Sequence, residues 1–160
     1  MNGNIYEIQA GLFKGRSSGS KTGSMRNGKI RVLLVEDETP LAMMMVFALT
    51  RVGCDVVAVH TGKKGLELAR EQRFDLITLD IKLPDANGLD LCSELKQRHI
   101  SRNTPIIFIS GSSSPEDIAE GKKRGAADYI TKPFDITDFI YRIVHHAKAL
   151  PKAESKGISE

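Results

Sequence analysis

A chain of 160 residues is long enough for one domain with its own hydrophobic core, since single domains cluster near ~100–150 residues. No apolar run approaches the ~20 residues that a membrane-spanning helix needs. The two cysteines, Cys54 and Cys92, lie in apolar surroundings without paired spacing, which argues against a disulfide framework. We therefore expect a protein of a reducing, cytoplasmic compartment, with no membrane span and with both thiols in its core.

The net charge of +3 is distributed unevenly along the chain. Residues 1–30 hold five basic side chains and one acidic side chain, which gives 5 − 1 = +4, and residues 151–160 hold two of each sign. The remaining 120 residues therefore carry 3 − 4 − 0 = −1. A slightly acidic central part behind a basic, glycine- and serine-rich head does not resemble a groove-binding domain, so no nucleic acid is expected among the partners.

The composition divides the chain into three parts. Residues 1–28 are predicted to be a flexible basic head, in which residues 16–28 lack hydrophobic periodicity and are typical of a linker. Residues 4–13 are mildly apolar but too few to bury a core, so they are either disordered or a short docking segment. An alternative for part of the head is an artificial extension upstream of an original start at Met25. Residues 29–150 are the predicted domain, and residues 151–160 are a C-terminal tail.

Five short, β-branched and nearly continuous apolar runs are typical of strands that a parallel sheet buries on both faces. They occupy residues 30–35, 55–59, 76–79, 106–109 and 127–130. Each run is followed by an amphipathic segment with helical spacing. Strict alternation predicts a (βα)₅ order and an α/β, doubly wound sheet with helices on both faces. Ligands of such sheets bind at the carboxyl ends of the strands, near the point where the strand order reverses.

The helix after the first strand has the clearest signals at its two ends. Pro40 suits its first turn and Gly53 suits its C-terminal cap. Apolar residues at three- and four-residue spacing predict its buried stripe: Leu41, Met44, Met45, Ala48, Leu49 and Val52. Two of the three consecutive methionines fall on this stripe and are interpreted as core residues. Further along, Ser114 and Pro115 predict the N-terminus of the fourth helix.

Several carboxylates follow the first and third predicted strands. Glu36, Asp37 and Glu38 end the first strand, and Asp80 ends the third. A parallel sheet brings these strand ends together, where the like charges would repel one another unless a cation is present. A hard, oxygen-liking cation such as Mg²⁺ meets that need. The alternative is that these are simply solvated acids at strand ends, and it is the weaker interpretation for a cluster of this size.

A hydroxyl and an ammonium group are predicted at the same edge. The fourth strand ends at Ser110, and the fifth leads to Lys132. A carboxylate nucleophile, a divalent cation, a lysine and a hydroxyl donor together suit in-line phosphoryl transfer, in which charge on the transferring group must be neutralised. Taken singly, Ser110 is as readily a capping serine and Lys132 a surface lysine, so the hypothesis rests on their joint position.

Over residues 30–149 the sequence resembles the response-regulator receiver domains. The resemblance rests on four blocks in the family's order. They are Glu36-Asp37 after an apolar strand, Asp80 followed by Pro84 and Gly88, the pair Ser110-Gly111, and the run Gly125-Ala126-Ala127-Asp128-Tyr129-Ile130-Thr131-Lys132-Pro133-Phe134. The intervals also agree with the family, with 110 − 80 = 30 and 132 − 80 = 52. The resemblance implies a flavodoxin-like fold with strand order 2-1-3-4-5.

The resemblance also implies a phosphorylation site with Mg²⁺ as its cofactor. Asp80 would accept the phosphoryl group and, with Asp37, coordinate the ion directly. Glu36 would help through water, and the main-chain carbonyl of Lys82 would supply a further oxygen. Lys132 would pair with Asp80 before phosphorylation and with the phosphoryl oxygens afterwards.

By the same resemblance, Ser110 and Tyr129 would form a switch. Ser110 would hydrogen-bond the phosphoryl group, and Tyr129 would follow it inward and change the surface of the fourth helix, fifth strand and fifth helix. The Lys132–Pro133 peptide bond is expected to be cis. Such a protein is a phosphoacceptor switch and not an enzyme acting on other substrates. Its only catalysis would be its own phosphoryl transfer and autodephosphorylation.

The expected partners are a sensor histidine kinase or histidine phosphotransfer protein and a downstream protein target. The predicted protein is a stand-alone receiver, monomeric or weakly dimeric, because the ten residues after the domain leave no room for an output module. One alternative is a pseudo-receiver that binds partners without phosphorylation, against which the intact Asp37, Asp80 and Lys132 count. Another is a Mg²⁺-dependent phosphohydrolase, which would need an acid/base aspartate where Lys82 stands.

Overall fold

Five parallel strands alternate with five helices in the computed structural model, which describes residues 28–98 and 101–149. The strands are β1 (Arg31–Val35), β2 (Asp55–Val59), β3 (Leu76–Leu79), β4 (Ile106–Ser110) and β5 (Asp128–Thr131). The helices are α1 (Thr39–Arg51), α2 (Gly62–Glu71), α3 (Gly88–Gln97), α4 (Pro115–Lys123) and α5 (Ile136–Lys148). The predicted (βα)₅ order is confirmed, and the strand ends differ from the prediction by one residue at most.

The sheet has the order β2-β1-β3-β4-β5, as the resemblance implies. Neighbouring strands are parallel throughout, with Val35 in register with Val59 on one side and with Leu79 on the other. The chain runs outward from β1 to β2 and then crosses to β3 on the opposite side of β1. The strand order therefore reverses between β1 and β3, and the carboxyl ends of these two strands flank the crevice where doubly wound sheets bind ligands.

Two apolar layers cover the sheet, one on each face. Helices α1 and α5 enclose the first, with Met45, Leu49, Phe139 and Ile143 fully buried against the sheet. Helices α2 and α3 enclose the second, which contains Leu68, Leu91, Cys92 and Leu95. Because every strand is buried on both faces, the apolar runs are continuous and do not alternate. Both cysteines are buried free thiols, as predicted.

The helix ends follow the predicted local chemistry in two places. The Ser114 hydroxyl accepts a hydrogen bond from the Asp117 backbone N–H at 3.1 Å and caps α4. Gly53, just beyond α1, has a φ of +88°, a conformation that glycine adopts without steric cost. At α1 itself the capping position is Glu38, whose side chain makes no capping hydrogen bond, and Pro40 lies in the first turn.

The predicted buried stripe of α1 is partly wrong. Its buried residues are Ala42, Met45, Val46, Ala48 and Leu49, whereas Met44 is 43% and Val52 50% exposed. Of the two methionines predicted to be in the core, only Met45 is there. The stripe is displaced because α1 is apolar almost all the way round, so apolar spacing alone does not determine which side of the helix faces the sheet.

Other predictions concern parts of the chain that the structure does not cover. Residues 1–27 of the predicted head, and the tail 151–160, lie outside the described residues. Among the helices within residues 28–98 and 101–149, none combines the length and apolarity needed to cross a bilayer.

Candidate functional site

The carboxylates predicted at the sheet edge lie together in the structure. The Glu36 backbone N–H bonds to the Val59 carbonyl at 3.0 Å, and the Asp80 N–H bonds to the Val35 carbonyl at 3.1 Å. These hydrogen bonds extend the parallel strand pairing one residue beyond β1 and β3. Glu36 and Asp80 therefore lie at the same edge of the sheet. Glu36, Asp37 and Asp80 each offer a carboxylate oxygen within 4.8 Å of the others.

The three acids differ in their exposure to solvent. Glu36 and Asp80 are buried and Asp37 is exposed. Burial raises the pKa of Glu36 above its usual value, although the nearby ammonium group of Lys132 and a hydrogen bond from the Glu38 backbone N–H at 3.0 Å act in the opposite direction. The buried carboxylate of Glu36 therefore resists ionisation more than an exposed glutamate does.

Lys132 supplies the positive charge of the site. Its backbone N–H bonds to the Ser110 carbonyl at 2.8 Å, one residue past the end of β5, and its peptide bond to Pro133 is cis. Its ammonium group donates to Asp80 Oδ2 at 2.8 Å and forms an ion pair with Glu36 Oε2 at 2.8 Å. Burial lowers the pKa of Lys132, but the contacts with Asp80 and Glu36 outweigh it, so the pKa lies above its usual value. Lys132 is therefore charged at neutral pH.

The loop after β3 holds the second oxygen of Asp80. The Lys82 backbone N–H donates to Asp80 Oδ1 at 3.0 Å. Gly88, at the start of α3, packs so closely on this loop that a Cβ there would overlap the Asp80 carbonyl oxygen and the Ile81 Cα. The structure thus brings Lys82 to the site through its N–H group, and coordination of a metal by its carbonyl stays a prediction.

The two predicted switch residues lie on β4 and β5, with Ser110 at the carboxyl end of β4 and Tyr129 within β5. The Ser110 hydroxyl is buried and accepts a hydrogen bond from the Ser112 backbone N–H at 3.3 Å. Tyr129 is also buried, packs its ring 6.1 Å from that of Phe108 and donates its hydroxyl hydrogen to the Ser112 carbonyl at 2.9 Å. The tyrosine side chain therefore occupies an inward position and is linked to Ser110 through Ser112.

The donor set of this site fits a divalent cation such as Mg²⁺. Four carboxylates, of Glu36, Asp37, Glu38 and Asp80, stand against the one ammonium group of Lys132, which leaves an excess of negative charge, −4 + 1 = −3 with every acid ionised, that a divalent ion would reduce. The available donors are oxygens, which Mg²⁺ prefers, and Asp37 is exposed to solvent. The predicted ligands Asp37, Asp80 and Glu36 are the residues that the structure brings together.

Sequence reasoning missed three further contributions to the site. The ion pair between Lys132 and Glu36 was not predicted. Asp117 of α4 accepts a hydrogen bond from the Ser112 hydroxyl, next to the switch residues. Asp85 accepts hydrogen bonds from the Gly62 and Lys63 backbone N–H groups, both at 2.8 Å, and so fastens the loop after β3 to the start of α2. No local signal marks these contacts, since each joins segments that are distant in the chain or depends on a side-chain rotamer.

A doubly wound five-stranded sheet with carboxylates at β1 and β3 and a lysine at β5 defines a protein of the receiver class. The chain belongs to the response regulator receiver domain family, whose model matches residues 32–144. It is therefore the receiver domain of a response regulator in two-component signalling, and the predicted family is confirmed.

Comparisons with individual proteins agree with this assignment. Response regulator ArlR of Staphylococcus saprophyticus is 42% identical over 113 residues, which are 71% of this chain and 50% of the relative. The chain thus spans about half the length of the curated relatives it matches. The receiver domain of the Francisella response regulator 1452 superposes with a TM-score of 0.71 at 32% identity, over 75% of this chain and 98% of that one.

A third comparison concerns the metal. The receiver domain of the sensor histidine kinase PA1611 from Pseudomonas aeruginosa PAO1, described with a magnesium ion coordinated in its active site cleft, superposes with a TM-score of 0.69 at 26% identity. The match covers 74% of this chain and 98% of that chain.

Proposed function

We propose that Asp80 accepts a phosphoryl group from a phosphohistidine of a sensor histidine kinase or histidine phosphotransfer protein. A carboxylate oxygen of Asp80 attacks phosphorus, the bond from phosphorus to the histidine nitrogen breaks, and its electron pair returns to the imidazole ring. The observation that carries this proposal is the position of Asp80. Its carboxylate lies at the carboxyl edge of the sheet, 2.8 Å from Lys132 Nζ and within the acidic cluster.

The proposed cofactor is Mg²⁺, held directly by Asp37 and Asp80, through water by Glu36, and by the main-chain carbonyl of Lys82. When bound, the ion neutralises charge on the transferring phosphoryl group. The excess of negative charge at the site supports this cofactor, and so does the magnesium ion described for the PA1611 receiver domain. Lys132 holds Asp80 in place before transfer and pairs with the phosphoryl oxygens after it.

The proposed switch is a shift of population between two states. Tyr129 is already inward in the unphosphorylated structure, so a phosphoryl group on Asp80, by accepting a hydrogen bond from the Ser110 hydroxyl, would stabilise that position against an outward one. The hydrogen bond from the Tyr129 hydroxyl to the Ser112 carbonyl, at 2.9 Å, and the one from the Ser112 N–H to the Ser110 hydroxyl, at 3.3 Å, support a link between Ser110 and Tyr129 through Ser112. The α4-β5-α5 surface then changes with the tyrosine side chain.

The remaining parts of the proposal concern the pathway. The domain acts as a cytoplasmic regulator, monomeric or weakly dimeric, whose output is contact with a downstream protein and whose only catalysis is its own phosphorylation and dephosphorylation. Its partners are a histidine kinase or phosphotransfer protein and that target, without nucleic acid. Family membership supports the kinase partnership, and the slightly acidic charge of residues 31–150 supports the absence of nucleic acid.

The test is incubation with acetyl phosphate and Mg²⁺, followed by rapid quenching and intact mass measurement. We expect a Mg²⁺-dependent phosphoryl adduct on the wild type and none on Asp80→Asn. The matched control is Asp90→Asn, because Asp90 is an exposed aspartate of α3, outside the acidic cluster. An Asp80→Asn variant that still forms the adduct would assign the phosphoryl group elsewhere. A wild type with neither adduct nor phosphodonor turnover would favour a phosphorylation-independent pseudo-receiver.

A further inference from the structure

The solvent side of α1 is unusually apolar for a helix on a protein surface. Its exposed positions are Thr39, Pro40, Met43, Met44, Phe47 and Arg51, and we call the last five the outer face of α1. Met43 is 54%, Met44 43% and Phe47 64% exposed. Apart from Arg51, the outer face carries no charge. The opposite side of the helix is packed on the sheet, so α1 has apolar residues on both sides. This pattern is typical of a helix that is buried on both sides.

The rest of the described surface does not share this property. Five large hydrophobic side chains are exposed within residues 28–98 and 101–149. Three of them belong to the outer face of α1, Val52 directly follows that helix, and Tyr141 lies on α5. Single exposed apolar residues need no explanation, but a contiguous cluster indicates a surface that binds an apolar partner.

The described chain begins close to this surface. The carbonyl of Ile30 accepts a hydrogen bond from the Asp55 backbone N–H at 2.8 Å, and the Cys54 N–H bonds to the Leu49 carbonyl at 3.1 Å. The first residues before β1 therefore lie beside the C-terminal end of α1. The chain that precedes β1 therefore starts near the end of α1 at which Arg51 of the outer face lies.

The sequence before residue 28 contains a segment that matches this face chemically. Ile5, Ile8 and Leu12 recur at spacings of three and four, so in a helical conformation they would lie on one side. Glu7 is the only charged residue among residues 1–13, and Arg51 is the only charged residue of the outer face. The apolar segment of the head and the outer face of α1 thus each contain one charged residue, and these two residues have opposite charges.

The connection between them has a suitable length. Fourteen residues, 14–27, separate the apolar segment from the described chain. For a glycine- and serine-rich sequence of this length, random-coil statistics give a root-mean-square span of roughly 20 Å. The thirteen residues of α1 are about 20 Å long. Effective concentration is highest when the linker span matches the distance to be bridged, and it reaches the millimolar range for short flexible linkers.

We propose that residues 5–13 dock on the outer face of α1 of the same molecule, with Ile5, Ile8 and Leu12 against Met43, Met44 and Phe47. A second copy of the chain is the competing occupant. The tether favours the intramolecular contact, because at micromolar protein concentrations a second molecule is far more dilute than the attached segment. The docked segment would cover the apolar outer face of the helix that begins directly after Glu36, Asp37 and Glu38.

The test places a nitroxide spin label on the head and records which backbone amides it broadens. The substitution Gln9→Cys introduces a thiol for the label. The two native cysteines, Cys54 and Cys92, are buried, so the label should attach at position 9. We expect most of the peak intensity of the Met43, Met44 and Phe47 amides to be lost relative to a diamagnetic label. The loss should be the same at every protein concentration tested.

Matched variants separate docking from mere proximity of a tethered label. Combined substitution Ile5→Ser, Ile8→Ser and Leu12→Ser, with the label retained, should restore the α1 amide intensities, and so should Phe47→Ser. Tyr141→Ser, which removes an aromatic side chain as exposed as Phe47 on another helix, should leave the broadening unchanged.

Three results would overturn the proposal. The first is the absence of broadening on α1 in the unmutated background. The second is broadening that survives the triple substitution in the head, which would reflect the tether alone. The third is broadening of isotope-labelled chains by separate spin-labelled chains, which would assign the outer face to a second copy.

Discussion

Replacing Lys132 by methionine removes the positive charge of the site while keeping a long apolar side chain. The Lys132 ammonium group lies 2.8 Å from both Asp80 Oδ2 and Glu36 Oε2, and the two acidic side chains are only 8% and 2% exposed. Without Lys132, two buried carboxylates and the nearby Asp37 repel one another without compensation. We expect Lys132→Met to lower the free energy of unfolding when divalent cations are absent.

The size of this loss follows from the burial of the partners. Removing one member of a buried ion pair costs about 3–5 kcal/mol, because the remaining charge is left desolvated and unpaired. The lower end applies here, about 3 kcal/mol, since Asp37 is exposed and water can reach the space left by the ammonium group. The control is Lys123→Met. Lys123 is 81% exposed and forms one ion pair with Glu120 at 3.8 Å, so its loss should be below about 1 kcal/mol.

Urea unfolding in the presence of a chelator measures both variants against the wild type. The reasoning requires a lower midpoint with an unchanged slope, since a changed slope would signal an altered unfolded state. Adding Mg²⁺ should recover part of the loss in Lys132→Met, because the ion supplies positive charge to the same oxygens. If Lys132→Met unfolds within about 1 kcal/mol of the wild type in chelator, the site does not depend on this charge balance.

Three further predictions follow from the loop after β3 and from the core. Gly88→Ala should lose about 2 kcal/mol in urea unfolding, because the added methyl group meets backbone atoms, whereas Gly111→Ala, with open space around it, should be near neutral. Asp85→Ala should lose about 1 kcal/mol at neutral pH. Slight burial raises the pKa of Asp85, but the hydrogen bonds from the N–H groups of α2 outweigh it and hold the pKa below its usual 3.8. The difference in unfolding free energy between wild type and Asp85→Ala should therefore be constant above pH 3.8. It should vanish as the pH falls through the lower pKa of the folded state. Burial raises the pKa of Cys92 to about 11, so native protein at mildly alkaline pH should resist alkylation and urea-unfolded protein should react; equal rates would refute this.

The sequence predicted the class of fold because strand and helix signals here are local. Continuous β-branched runs such as residues 76–79 indicate burial on both faces, and a cap such as Ser114 acts within one helical turn. The stripe of α1 shows where this approach fails. A helix with apolar residues on both sides has no preferred face of its own, and the position of the sheet decides that Met45 is buried and Met44 is exposed.

At the site, the sequence identified the residues but not their arrangement. Strand ends in a parallel sheet share one edge, so Asp37, Asp80, Ser110 and Lys132 could be placed together before any coordinates were known. The family resemblance then attached roles to them. The direct contact of Lys132 with Glu36 depends on the rotamers of two side chains that are 96 residues apart in the chain, since 132 − 36 = 96.

The sequence by itself determined the alternation of strands and helices, the family and the identity of the acidic cluster, because each depends on local periodicity or on motifs at fixed intervals. Only the tertiary structure decided which acids are buried, which oxygen of Asp80 faces Lys132, that Tyr129 is turned inward and that the outer face of α1 is apolar and exposed. These features depend on packing between segments that are distant in the chain, and local sequence carries no record of the orientation in which such segments meet.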